Sequence, residues 1–166
     1  MSTIRIEALD AAAAAEASVR ESLGRLLPQL SAGAPALTAE RFRSVVSEPS
    51  THVVIARLDG TVAGVAVLVR CRTLCGSFGL IEDVVVDEAA RGLGVGKRLT
   101  ETLLARARAD GLDHVDLTSR PTRRAANALY RSLGFELRET NCYRYRLGEP
   151  SGDRSRHAPG RPGASG

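Results

Sequence analysis

The chain has 166 residues, enough for one domain with a real core and little more. Hydrophobic residues make up 43% and charged residues 25%, the balance of a soluble globular protein, and no apolar run reaches the ~18 residues a membrane span needs. A formal net charge of +4 suits an anionic partner, but three Phe, three Tyr and no Trp leave few stacking platforms for nucleic acid, and no nucleic-acid recognition motif stands out.

In chain order, the first residues carry no basic stretch leading into an apolar one, so no signal peptide is read. Residues 3–9 alternate like a strand, with Ile4 and Ile6 on one face. Residues 10–30 are rich in Ala and Leu. They read as a helix capped by Asp10, with Pro28 near its end. A second short helix follows at roughly 38–48. β-branched runs at 51–58 and 61–70 flank Asp59-Gly60, a strong hairpin signal. Residues 79–86 lose their alternation at Val84-Val85-Val86, as a strand buried on both faces does. A glycine-rich turn leads to a helix at about 94–110, where Val95, Leu99, Leu103 and Ala107 recur every four residues and Gly111 sits at a C-cap. A short strand at 113–118 precedes a helix opened by Pro121-Thr122. Ala126, Leu129, Tyr130 and Leu133 lie on one side of that helix, and Gly134 ends it. Residues 135–138 and 142–147 read as a closing strand pair.

Residues 148–166 differ in kind. Eleven of the nineteen are Gly, Pro or Ser, too few apolar groups to offset the entropy of ordering, so a disordered tail is expected after a domain at 1–147. Three cysteines, Cys71, Cys75 and Cys142, show no C-x-x-C spacing, and His52, His114 and His157 are scattered. Neither a disulfide framework nor a metal site is expected, and a reducing cytoplasm is the expected compartment.

The segment Arg91-Gly92-Leu93-Gly94-Val95-Gly96-Lys97-Arg98 follows a buried strand and opens an amphipathic helix. Glycines let a backbone turn sharply and approach a ligand, and the first N–H groups of a helix lack internal partners. Together with the helix dipole they favour a phosphate. The P-loop pattern fails, because Arg91 stands where its first glycine belongs and Arg98 where Ser or Thr should follow the lysine. The dinucleotide pattern fails because Lys97 occupies its third glycine.

Here the sequence resembles the GNAT (GCN5-related N-acetyltransferase) superfamily. Arg91, Gly94 and Gly96 match its R/Q-x-x-G-x-G/A signature, and Asn127, Tyr130 and Gly134-Phe135 look like its N-x-x-Y-x-x-x-G-F segment. The specific match covers about 79–137. The resemblance implies an α/β (α+β) fold, with a central mixed, mostly antiparallel sheet of splayed strands flanked by helices. It implies acetyl-CoA as cosubstrate, with no metal, and an acetyl group passed to a primary amine by direct attack in a ternary complex. Backbone N–H groups of Arg91, Gly92, Leu93, Gly94, Val95 and Gly96 would hold the CoA pyrophosphate. Charge from Arg91, Lys97 and Arg98 would sit nearby, with helix-surface solvation the alternative for the last two. The strand at Val84, Val85 and Val86 would carry a bulge, splay from the strand at 113–118 and bond pantetheine, one of its N–H groups polarising the thioester carbonyl.

A protonated amine must lose a proton before attack. Glu82 and Asp83 are the candidate bases; they alternate along the strand, so one faces the substrate. The resemblance favours Glu82, whose other reading is a partner for a substrate cation or an internal arginine. Tyr130 is the candidate acid for the departing thiolate, and otherwise part of a core stripe. Asn127 would bond pantetheine or CoA, and otherwise lie on the helix surface. The acceptor is a small-molecule amine in the first reading. A protein N-terminus or lysine is the second, and a non-catalytic CoA-binding regulatory module the third. The resemblance extends to homodimerisation; nothing points to a membrane or nucleic-acid partner.

Overall fold

The computed structural model describes residues 3–147 apart from 11, 14 and 15. Five strands form one sheet in chain order: β1 (Ile4–Ala8), β2 (Thr51–Leu58), β3 (Thr61–Thr73), β4 (Gly76–Val86) and β5 (His114–Leu117). The first three pairings are antiparallel and β4–β5 is parallel. This is the mixed, mostly antiparallel sheet the resemblance implies. A parallel pair needs a crossover, supplied here by α3 (Val95–Ala109). The other helices among the described residues are α1 (Ala17–Leu30), α2 (Ala39–Val46) and α4 (Arg124–Ser132). None is long and apolar enough to cross a membrane.

The continuous β-branched runs of β2 and β3 follow from burial on both faces. Val53, Ile55, Val65 and Val67 pack with Val19, Leu23, Leu26 and Phe42 of α1 and α2. Their neighbours Val54, Ala56, Ala66 and Leu68 pack with Val95, Leu99 and Leu103 of α3. Leu99 and Leu103 are fully buried, each contributing about 1.5–3 kcal/mol. The tight β2–β3 turn forms at Asp59-Gly60, both at positive φ, as the sequence predicts. At Gly64 in β3 an added Cβ would stand 3.0 Å from Val95 Cγ1, 3.1 Å from Leu99 Cδ1 and 3.1 Å from the Val85 carbonyl oxygen. A larger residue there would oblige Val95, Leu99 or the β4 backbone to give by a few tenths of an ångström, so the glycine lets α3 settle closely on the sheet.

Two expectations are corrected. The first helix begins at Ala17 rather than at Asp10; the Asp10 carboxylate instead accepts a hydrogen bond from the Ala13 amide at 2.8 Å, so it caps a single local turn. Residues 136–147, taken by themselves, hold no strand. Alternation becomes a strand only where a neighbouring backbone completes the ladder. Within residues 136–147 no such ladder forms, and Leu137, Tyr143, Tyr145 and Leu147 stand exposed. The expected tail at 148–166 lies outside the described residues.

One charged cluster ties the C-terminus of α3 to the sheet. Asp110 accepts from Arg106 at 2.9 Å and lies 3.2 Å from His52 Nε2 and 3.7 Å from Arg70. Burial would raise the Asp110 carboxyl, but the Arg106 hydrogen bond and the charges of Arg106, Arg70 and His52 outweigh it and hold it below its ordinary value. Burial and the Arg106 charge push His52 down, against the pull of Asp110. Both groups have depressed folded values, so each contributes stability that is present above its unfolded pKa and lost as pH falls through the folded one. Thermal unfolding followed by circular dichroism is therefore expected to show a Tm that falls as pH drops below the ordinary histidine value of about 6.5. His52→Asn should remove the part of that fall nearest neutrality.

Candidate active site

The site begins with a fault in the β3–β4 ladder. Val65 pairs with Val85 and Val67 with Glu82, so Asp83 and Val84 together stand opposite Ala66. One extra residue on one strand is a β-bulge, and it bends the strand that carries it. Asp83 has φ +51°, a left-handed conformation that Asp tolerates better than most L residues. On the other edge of β4, pairing with β5 runs from Phe78↔His114 to Ile81↔Leu117 and stops. Residues 82–86 therefore have β3 on one side and an open edge on the other. The strand does splay where the resemblance puts it, with the bulge one residue earlier than Val84–Val86.

The chain leaves β4 through a 3-10 turn at Glu88–Ala90 and reaches α3 by way of Gly92 (φ +78°) and Gly94 (φ +85°). Gly94 is the N-cap of α3; no side chain bonds the helix end, and its first turn holds no acidic residue. A helix end of this kind suits an anion. Gly96 has passed into the helix, where an added Cβ would meet Leu129 and Val86 at ordinary contact distance. Arg91 lies 3.4 Å from Glu88 and Lys97 3.9 Å from Glu101, both exposed pairs that leave either cation able to turn to a phosphate. Arg98 donates to the Ile4 carbonyl at 2.7 Å, so its charge is anchored to β1.

Helix α4 borders the same gap. Ala126, Leu129, Tyr130 and Leu133 are only partly buried, and no residue of α4 is fully buried. The apolar stripe is thus half-buried rather than part of a closed core. Tyr130 packs edge-to-face on Phe135 with ring centroids 5.7 Å apart. Burial raises its hydroxyl above the ordinary tyrosine value, against an opposing pull from the Arg123 guanidinium. The proton therefore stays on the oxygen at working pH. The Asn127 side chain donates to the Arg120 carbonyl at 2.9 Å. It braces the loop before α4, a use the sequence did not suggest.

The two acids depart from simple alternation. Glu82 faces Val67 across the ladder, and cross-strand partners share a face, so it belongs to the α1/α2 side. Asp83 lines a cavity of about 350 Å³ on that same side. The bulge puts both carboxylates on one face, where period-two reasoning allowed one. Both are exposed, a correction to the reading of residues 79–86 as a strand buried on both faces. Asp83 is a residue type that tolerates positive φ, but alternation alone gave it the opposite face.

Two side chains anchor the end of α1 to the rim. Gln29 Oε1 accepts from the Glu88 amide at 3.0 Å, and Arg123 Nη2 donates to the Leu30 carbonyl at 2.5 Å. The first joins α1 to the turn before the glycine loop and the second joins it to the start of α4. Nothing in the local sequence marks Gln29 or Arg123 for this.

The family model described as "Acetyltransferase (GNAT) family" matches residues 18–135. The chain belongs to the GNAT acetyltransferase family. Glucosamine 6-phosphate N-acetyltransferase 1 of Oryza sativa subsp. japonica is 38% identical over 120 residues, 66% of this chain and 70% of that protein. N-alpha-acetyltransferase RimI of Mycobacterium tuberculosis is 36% identical over 95 residues, 57% of this chain and 58% of that one. The crystal structure of an aminoglycoside acetyltransferase from an uncultured soil metagenomic sample superposes with TM-score 0.77 at 18% identity, over 88% of this chain and 97% of that one; this likeness is one of fold. The GNAT chain is accordingly an acetyl-CoA-dependent N-acetyltransferase.

Proposed function

We propose that the protein acetylates a small-molecule primary amine, with acetyl-CoA held in the gap between β4 and β5. The observation that carries this is the bulge at Asp83–Val84, just beyond the last β4–β5 pair and ahead of a glycine-led helix with no side-chain cap. The amides of residues 92–96 take the pyrophosphate, the Arg91 amide expected to join them being spent on the Glu88 carbonyl at 3.3 Å, and the open edge at residues 82–86 bonds the pantetheine chain as an added strand would. An edge N–H polarises the thioester carbonyl, rigidly and without reorganisation.

The amine nitrogen attacks that carbonyl carbon, a C–N bond forms and the C–S bond breaks. Glu82 takes the proton the amine gives up. The Tyr130 hydroxyl donates a hydrogen bond to the departing sulfur. By ordinary values a tyrosine near 10 giving its proton to a thiolate near 8.5 is uphill by about 2 kcal/mol, and burial of Tyr130 widens the gap. A hydrogen bond to the sulfur, with the proton arriving from water, is therefore the favoured role. A small acceptor is supported by the cavity at Asp83, whose volume of about 350 Å³ falls at the low end of the roughly 300–1,000 Å³ range of small-molecule sites. The rice relative's name, with its amino-sugar phosphate, belongs to the same size class. Free-thiol release from acetyl-CoA should rise on adding small amines and stay at background with a peptide N-terminus; the reverse pattern would overturn the small-molecule reading.

A further inference from the structure

The cavity at Asp83 is built for a particular kind of amine. It lies between α1, the α1–α2 connection, α2 and the sheet. Of its sixteen lining residues only Ser31, Arg41 and Asp83 carry a polar side chain. The walls are aliphatic and aromatic, with Leu23, Leu27, Phe42, Val65 and Val67 among them. The Asp83 carboxylate has no hydrogen bond or ion pair with any described residue, and the left-handed backbone of the bulge sets it on the cavity side. A non-glycine residue held in that conformation is a cost the surrounding ladder must offset, and its result is one free carboxylate against an apolar wall. It stands two residues beyond Ile81, the last β4 residue paired with β5. A nitrogen held there is beside the open strand edge.

From these observations we infer that the acceptor is a primary amine on an apolar body, its ammonium held by Asp83 and its hydrocarbon part among the leucines and valines of α1 and β3. This rests on the reading of the gap as the acetyl-CoA site. The reasoning is one of polar accounting. An amino sugar brings several hydroxyls, and each buried against this wall without a partner costs about 1–3 kcal/mol. Ser31 and the exposed Arg41 are too few to serve them. A hydrocarbon body brings no such demand and gains roughly 25 cal/mol for each Å² it removes from water. Glu82, on the same face, is left to take the proton as attack begins.

The experiment is free-thiol release from saturating acetyl-CoA with phenethylamine, hexylamine, glucosamine 6-phosphate and an alanine-led peptide as acceptors, on wild type and Asp83→Asn. Asn accepts positive φ at least as well as Asp, so the variant keeps the bulge and loses only the charge. Turnover of phenethylamine and hexylamine is expected, with KM raised about tenfold or more in Asp83→Asn while its calorimetric affinity for acetyl-CoA is unchanged. Phenethylamine titrated into the CoA-saturated protein gives a second readout, and binding that the variant weakens also supports the assignment. Turnover of glucosamine 6-phosphate without the two apolar amines overturns this inference and leaves the proposed function standing. So does an unchanged KM in the variant, or no phenethylamine binding to the CoA complex. Turnover of the peptide alone overturns the small-acceptor reading as well. No acetyl-CoA binding by the wild type overturns the assignment of the gap, and both readings with it.

Discussion

Replacing Gly94 by Glu is expected to lower acetyl-CoA affinity by about a hundredfold or more in calorimetric titration, with the fold intact. Two effects combine. Gly94 sits at φ +85°, where an ordinary side chain costs about 1–2 kcal/mol. An added Cβ there would meet nothing within 4 Å, so the substitution creates no clash and the helix survives. The second effect is electrostatic: a carboxylate about 4 Å from a bound phosphate opposes it by roughly 4 kcal/mol at an effective dielectric near 20. Gly94→Asn separates the two, because Asn accepts positive φ and adds no charge; it should retain most of the affinity. Equal binding by the wild type and Gly94→Glu would mean that the leading amides of α3 do not hold the pyrophosphate.

Tyr130→Phe is expected to lower kcat by about tenfold to a hundredfold and leave acetyl-CoA affinity nearly intact. A hydrogen bond to a charged group is worth about 1.5–3 kcal/mol, and each 1.36 kcal/mol of barrier is about tenfold in rate. The hydroxyl makes no hydrogen bond among the described residues, so its removal breaks nothing in the resting protein. The ring stays on Phe135 and the packing of α4 is preserved. The effect then belongs to kcat, because the sulfur acquires its charge only as the C–S bond breaks. An unchanged kcat would return Tyr130 to the role of a packing residue.

The sheet and the glycine-led start of α3 are legible in the sequence because their signals are local. The β2–β3 turn is specified by two residues, and α3 by an apolar repeat bounded by glycines. The bulge is not legible, because no residue of Leu80–Val86 departs from what a regular strand accepts except Asp83, and a single Asp does not announce a left-handed backbone. That local shift is why alternation assigns Glu82 and Asp83 to opposite faces while the structure gives them one. The Ala-rich segment before Ala17 has helix propensity throughout, but among the described residues from Asp10 onward the first buried apolar side chain is Val19, and packing rather than propensity decides where a helix is held. Gln29 and Arg123 escape sequence reading for another reason. Their partners are backbone atoms 59 and 93 positions away, and no spacing encodes those.

The close seat of α3 on β3 has a consequence for how this protein tolerates drift. The glycine that permits it, Gly64, lies on a strand that borders neither the gap nor the loop. A methyl group at position 64 pushes on Val95 and Leu99, residues in the first turns of the very helix whose leading amides face the gap. On the proposed reading of that helix end as the pyrophosphate site, donor affinity depends partly on the core, and a survey of affinity determinants confined to the loop would miss the residue that seats its helix on the sheet.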